Sequence, residues 1–266
     1  MNVLTDDKFH WIASYRQDSD VYWPYGRIQK LDTPRKIISM RGSFYKKKLA
    51  AWLVSRCNGS TSQREQFVES LQKHIPIHVF GRCGKQCPSE QKCRQFIGSN
   101  YKFYLALENS LCIDYVTEKF FTALEHGAIP VVYGWANYSK LAPPKSFINA
   151  LDFKSVKALA DYLLWLDKNP GEYVKYFYWT RQYRVVNTYN QDGLCHMCEQ
   201  ARAWNEGGQE LKGETKPFPS LLRRISQKLD QPGTFKMGRT RLKVDGPCVN
   251  INEHSELKRW LNGGGP

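Results

Sequence analysis

Tyr101-Lys102-Phe103-Tyr104-Leu105-Ala106-Leu107 is an apolar run that breaks at once into Glu108-Asn109-Ser110, with Val116-Thr117-Glu118-Lys119 close behind. Apolar residues fill both alternating sets of the run, the mark of a strand covered on both faces as in a parallel sheet. From Val116 to His126 the apolar positions take helical spacing and stop at Gly127, a C-cap signal. Ile129 to Tyr133, ending at Gly134, reads as the next buried strand. Strand, polar turn, helix and strand make a βαβ unit.

The same alternation extends outward. Upstream, Leu49 to Val54 reads as a strand, and Ser62 to His74 as a helix with Phe67, Leu71 and Ile75 at helical spacing. Ser62 with Glu65 fits a capping box for that helix. Ile75 to Gly81 is a strand. Downstream, Phe147 to Ala150 is a fifth strand, Ser155 to Asp167 an amphipathic helix, and Pro170 opens another. The pattern predicts an α/β doubly wound parallel sheet, whose ligands bind beyond the carboxyl ends of the strands. Its domain spans residues 36–210. Residues 1–35, with the Tyr-, Asp- and Arg-rich stretch Trp11 to Gly26, read as loop and short elements. Residues 211–266 read as a basic tail, with one helix at Ser220 to Leu229.

With 41% hydrophobic and 14% aromatic residues in 266, the chain can build a core, so it reads as globular. The formal charge of +14 favours a polyanionic partner: nucleic acid, an acidic membrane surface or a phosphate-bearing substrate. A solvated basic surface without a ligand is the plain alternative. No RNA- or DNA-binding motif appears, which argues against nucleic acid. No apolar run approaches the ~20 residues of a membrane span, and the opening residues are polar, unlike a signal peptide.

Eight cysteines, an even number, occur with two sequons, at Asn58 and Asn137. Together they favour an oxidising, secretory compartment and disulfides. Zinc is the alternative, because Cys195-His-Met-Cys198 has the spacing of half a site, with Cys83 and Cys87 as the other half.

Polar groups packed at a strand end and a helix start form an anion site, and Lys119 beside them would neutralise phosphate as a point charge. The competing reading is a capped helix with a solvated Glu118–Lys119 pair. No Asp-x-Asp pair follows a strand to hold a divalent metal.

The segment 101–110, followed by Asp114-Tyr-Val-Thr-Glu-Lys119, closely resembles the signature of the α1,3-fucosyltransferase family, GT10. The resemblance runs in order from Tyr15-Arg-Gln-Asp-Ser-Asp20 through Pro24-Tyr-Gly26 and Ile129-Pro-Val-Val-Tyr-Gly134 to Cys195-His-Met-Cys198. It implies a Rossmann-like domain, the GDP-fucose-binding C-terminal half of a GT-B glycosyltransferase, transferring fucose in α1,3 linkage with inversion to GlcNAc of a glycan. Residues 1–35 would then be a remnant of the acceptor domain and linker, with most of that domain, which activity needs, expected outside this sequence. Matched position by position, it implies that Arg64 and Lys119 pair with the diphosphate and that Glu118 accepts hydrogen bonds from ribose hydroxyls. Asn109, Tyr104 and Tyr115 would line the nucleotide and fucose pocket, bordered by Ser55 and Tyr25. No metal is required; Mn2+ or Mg2+ would at most stimulate.

The resemblance also carries departures. The family's general base is a glutamate of the acceptor domain, expected upstream of this chain; Asp6 and Asp7 lack its context. Arg56 stands where many relatives have asparagine, and the stretch after Leu211 has no match. Relatives are Golgi proteins of type II, facing the lumen, with an anchor and stem expected to precede Met1. Cys195 and Cys198 would pair, in related enzymes, with cysteines of the acceptor half. Cys83, Cys87, Cys93 and Cys112 resemble the pattern of core-type enzymes, which points to an N-glycan acceptor. A non-catalytic GDP-sugar-binding module keeps the same donor residues and is the second reading.

Overall fold

The structure is a computed structural model that describes residues 13–19, 21–35, 48–87, 89–186, 194–195, 197–199, 201–202, 233–237, 240–244 and 248–262. Its centre is a five-stranded, wholly parallel sheet. Three short strands precede it: β1 (Ala13–Ser14), β2 (Val21–Tyr22) and β3 (Arg27–Lys30). Then come β4 (Lys48–Leu53), α1 (Arg64–Gln72), β5 (Ile77–Phe80), α2 (Glu90–Asn100), β6 (Tyr101–Leu107), α3 (Glu118–Glu125) and β7 (Ile129–Tyr133). After these follow α4 (Tyr138–Leu141), β8 (Ile148–Asn149), α5 (Val156–Lys168), α6 (Pro170–Val174) and β9 (Tyr183–Val186). An antiparallel pair, β10 (Gly233–Met237) and β11 (Thr240–Val244), precedes α7 (Ser255–Leu261).

The five predicted strands all form, in the order β5-β4-β6-β7-β8. The reason they lie inside is visible in β6. Phe103, Leu105 and Leu107 pack with Phe67, Leu71, Leu159 and Leu163 of α1 and α5 on one face. Tyr104 and Ala106 pack with Ile97, Phe120 and Phe121 of α2 and α3 on the other. From the junction between β4 and β6, α1 leads outward to β5 and α3 leads the opposite way to β7. That junction is the topological switch point, where the loops after two neighbouring strands part and leave a crevice.

Local chemistry accounts for most helix ends. Gly127, at φ +75°, turns the chain out of α3 in the left-handed region open to glycine. Ser155 accepts from the Ala158 N–H at 3.1 Å to cap α5, and Ser89 accepts from Lys92 N–H at 3.2 Å to cap α2. The capping box placed on Ser62 and Glu65 does not form. Gln63, at φ +49°, holds the cap position of α1, and the Ser60 hydroxyl bonds Glu65 and accepts from Arg64 N–H. Ser62 instead donates to the Glu108 carbonyl at 2.6 Å, tying its loop to the end of β6.

Two regions differ from the sequence reading. The first 35 residues include β3, which pairs with β9 in register Arg27↔Val186 to Lys30↔Tyr183, and Gly26 sits against the Phe121 ring. Residues 248–262, read as part of a tail, join the core: Leu257, Trp260 and Leu261 are all at most 1% exposed. The helix predicted at Ser220 to Leu229 lies outside the described residues. Helix α2 was not foreseen, because its apolar stripe is only Cys93, Phe96 and Ile97 among polar residues.

Candidate functional site: the crevice at the ends of β4 and β6

The carboxyl ends of β4 and β6 carry the polar segments 55–63 and 108–117. Direct bonds join them: Ser62 N–H donates to the Asn109 carbonyl at 3.1 Å, and Thr61 and Ser110 hydroxyls meet at 2.7 Å. The end of β6 is thus a fixed platform rather than a loose loop.

Two cations reach that platform from opposite layers of the fold. Arg64, the first residue of α1, donates from Nη1 to the Leu107 carbonyl at 3.0 Å. Lys119, in the first turn of α3, donates from Nζ to Thr117 Oγ1 at 2.6 Å and lies 3.3 Å from the Glu108 carboxylate. The groups they hold belong to consecutive residues, so both cations converge on one strand end. Lys119 keeps part of its side chain exposed, whereas the Arg64 side chain is only 5% exposed. The Arg64 Nε is buried without a hydrogen-bond partner, 3.6 Å from Glu65 Oε1. Its guanidinium is therefore a charge beneath the surface rather than a fork held out to solvent.

Glu108 was not nominated from sequence, and it organises the site. It is wholly buried and accepts from Thr117 N–H at 2.8 Å and from the Thr117 hydroxyl. The start of α3, read as an anion site, is thus capped by the chain's own carboxylate. Burial raises the Glu108 carboxyl above its usual range, against the pull of Lys119 and the Thr117 bonds. The signal that could have found it was a carboxylate directly ending a buried strand.

The remaining nominated residues divide. Tyr115 is half-buried, its ring 5.0 Å from that of Tyr15. Burial first, then the nearby Glu108, pushes its phenol up to about 12, so it stays protonated and able to donate. Tyr25 lines, with Ala13, Ser14, Tyr15, Trp23 and Pro24, a pocket of about 390 Å³. Tyr15 adjoins both Tyr25 and Asp114, and Gln17 N–H donates to the Asp114 carboxylate at 3.2 Å, so this pocket abuts the loop that carries Tyr115. Tyr15 and Trp23, aromatic walls of the pocket, were not nominated. Glu118 lies 3.5 Å from both Lys119 and Arg94. Asn109 is half-buried, with its Oδ1 buried and without a partner. Ser55 is exposed just past β4. Tyr104 does not reach the crevice edge: it sits mid-strand, 3% exposed, between α2 and α3.

Disulfides staple the same end of the sheet. Cys57 pairs with Cys83, Cys87 with Cys93 and Cys112 with Cys248. Cys83 and Cys87 are thereby withdrawn from the zinc alternative, and Cys195 and Cys198 are free and exposed. Among the described residues no three His, Cys, Asp or Glu side chains gather as a metal-holding group. No helix among them is long and apolar enough to cross a membrane. Both sequon asparagines, Asn58 and Asn137, are exposed.

A doubly wound parallel sheet with Arg64 and Lys119 at its switch point defines an α/β domain that places two cations where such sheets bind their ligands. The chain belongs to glycosyltransferase family 10 (fucosyltransferase), whose C-terminal model matches residues 44–213. It is 38% identical over 210 residues to α-(1,3)-fucosyltransferase C of Drosophila melanogaster, covering 71% of this chain and 48% of that one. It is 42% identical over 182 residues to the 3-galactosyl-N-acetylglucosaminide 4-α-L-fucosyltransferase FUT3 of Bos taurus, covering 67% and 49%. A crystal structure of an α1,3-fucosyltransferase with GDP-fucose superposes with TM-score 0.48 at 24% identity, covering 59% of this chain and 48% of that one. The chain spans about half the length of the curated relatives it matches.

Proposed function

We propose that this chain holds GDP-fucose at the β4–β6 crevice, as the donor-binding half of an inverting GT-B fucosyltransferase. The observation that carries this reading is the arrival of Arg64 and Lys119 at successive residues of one strand end. Departure of GDP leaves growing negative charge on the diphosphate, and cations fixed before reaction stabilise it without reorganising. Lys119 is the direct partner, because its ammonium retains exposure and is steered by Thr117 and Glu108. Arg64 adds a buried positive charge under the same edge and holds the β6 terminus in place.

Glu118 accepts from the ribose hydroxyls, held on its other side by Arg94. Asn109 offers its unpaired Oδ1 to a ligand hydroxyl or amine, and Tyr115 donates its phenolic proton beside Tyr25 and Ser55. Tyr104 supports the wall from within. Fucose is then attacked in one step by a hydroxyl of a GlcNAc-bearing glycan, an N-glycan by the cysteine pattern. Its configuration inverts through an oxocarbenium-like state. The linkage formed is α1,3, and the setting is the Golgi lumen, in keeping with three disulfides and two exposed sequons. The diphosphate charge is met by side chains, so Mn2+ or Mg2+ would stimulate rather than hold the donor.

Titration calorimetry with GDP-fucose and with a uridine-diphosphate sugar tests the donor assignment. One saturable site for GDP-fucose, with much weaker binding of the uridine analogue, is the expected result. Equal affinity for both, or none for GDP-fucose, would overturn it.

A further inference from the structure

The stretch 248–262 lies beyond the family match at 44–213, yet it touches both loops that border the crevice. Cys248 is bonded to Cys112, and Val249 N–H donates to the Leu111 carbonyl at 2.7 Å, fixing the loop after β6. Asn252 Oδ1 accepts from Gln63 Nε2 at 3.2 Å, at the start of α1 and one residue from Arg64. Trp260 is fully buried and stacks on Phe67 of α1 at 5.3 Å and on Tyr133, the last residue of β7, at 6.2 Å. Tyr133 in turn donates its hydroxyl to the Ser62 carbonyl at 2.9 Å, and Ser62 donates to the Glu108 carbonyl.

We infer that residues 248–262 act as a strap that sets the separation of the two crevice loops, with Cys248, Asn252 and Trp260 as positioning residues. Each of the three acts through a residue of the crevice loops or of α1. The disulfide anchors the loop carrying Tyr115, the Gln63 bond anchors the loop preceding Arg64, and the Trp260 stack supports α1 between them. A covalent tie at one end and a packed ring at the other leave the loops little freedom to splay. A ligand therefore meets a crevice already shaped, which raises affinity by removing an ordering cost. The consequence for donor affinity rests on the function proposed above; the ordering of the loops does not.

Amide hydrogen exchange on the full chain reads the ordering directly. In Cys248→Ser and in Trp260→Ala, amides of residues 60–63 and 109–116 should exchange at least about tenfold faster than in the parent chain. Amides in the middle of β6 and β7 should be unchanged. Trp260→Phe should restore protection, because a ring still stacks. Should Trp260→Ala fail to fold, Cys248→Ser and Asn252→Ala carry the test. Unchanged loop exchange in those two variants, or faster exchange spread evenly over the sheet, overturns the strap. GDP titration of the same proteins gives the second readout. If the parent binds GDP and Cys248→Ser binds it several-fold more weakly, positioning is upheld. If the loops loosen and GDP affinity stays level, the strap is purely structural and the inference falls. An unbinding parent chain would instead contradict the donor assignment and leave the exchange result to decide the strap.

Discussion

Lys119 Nζ stands 3.3 Å from the carboxylate of Glu108, a side chain with no solvent exposure, and Thr117 bridges them by accepting from the lysine and donating to the acid. An internal anion thus occupies the start of α3 and aims a cation at the crevice. Removing one partner of such a buried pair leaves the other uncompensated, which is costlier than never having made it.

A pH dependence follows from Glu108. Burial raises its carboxyl above the ordinary 4.5, so the native protein binds that proton more tightly than the unfolded chain does. Its contribution to stability is full below the ordinary value and is lost as pH climbs through the raised one. Glu108→Gln cannot titrate. Thermal melts from acid to neutral pH should show a flatter profile for this variant than for the parent, and parallel profiles would rule out the assignment.

Tyr115 is expected to work as a protonated donor. With its phenol pushed up to about 12, donor affinity should show no titration step attributable to it from neutral to mildly alkaline pH. Tyr115→Phe keeps the contact with Tyr15 and removes only the hydroxyl. Calorimetry should report a loss of about 0.5–1.5 kcal/mol in GDP-fucose binding, the scale of one hydrogen bond.

Arg64 is structural as well as electrostatic. Arg64→Ala removes the bond to the Leu107 carbonyl and the cation 3.6 Å from Glu65 Oε1, so urea denaturation should show a loss of about 2–4 kcal/mol. A loss under about 0.5 kcal/mol would mean that the guanidinium contacts contribute little.

Gly134 tests the packing behind the acid. A Cβ there would run into the Tyr138 hydroxyl and come within 3.3 Å of Glu108 Cγ. Gly134→Ala should cost about 1–3 kcal/mol, the range for overfilling a close-packed site, again read by denaturation.

Apolar runs flanked by glycine and polar residues made the sheet readable in advance. Leu49 to Val54, residues 101–107 and Ile129 to Tyr133 could be buried only as strands of a covered sheet. Alternation with helices then implied the crevice. Helix α2 escaped because only Cys93, Ile97 and Gly98 of it are buried, and the partner of Cys93, Cys87, is one that no spacing rule identifies. Trp260 escaped although Leu257, Trp260 and Leu261 take helical spacing, because that stripe is short, sits in a basic stretch, and meets its partners Phe67 and Tyr133 only in the fold. In the site, Lys119 and Tyr115 stood out as polar residues after a strand. Glu108 was seen in the same place but given no role, because only the folded chain shows that its carboxylate turns inward to meet Thr117 rather than outward to solvent. Ser60, given no part in the cap from sequence, bonds Glu65 in place of Ser62. Only the Ser62 spacing fits a capping box, and the Ser62 hydroxyl goes instead to the Glu108 carbonyl.

At the carboxyl end of β6, Lys119 is proposed to grip the two phosphates. Affinities of GDP and of guanosine for the parent chain and for Lys119→Ala measure it most directly. The parent should bind GDP far more tightly than guanosine, and Lys119→Ala should shrink that gap by about tenfold or more while leaving guanosine unaffected. An undiminished gap in Lys119→Ala would contradict the account.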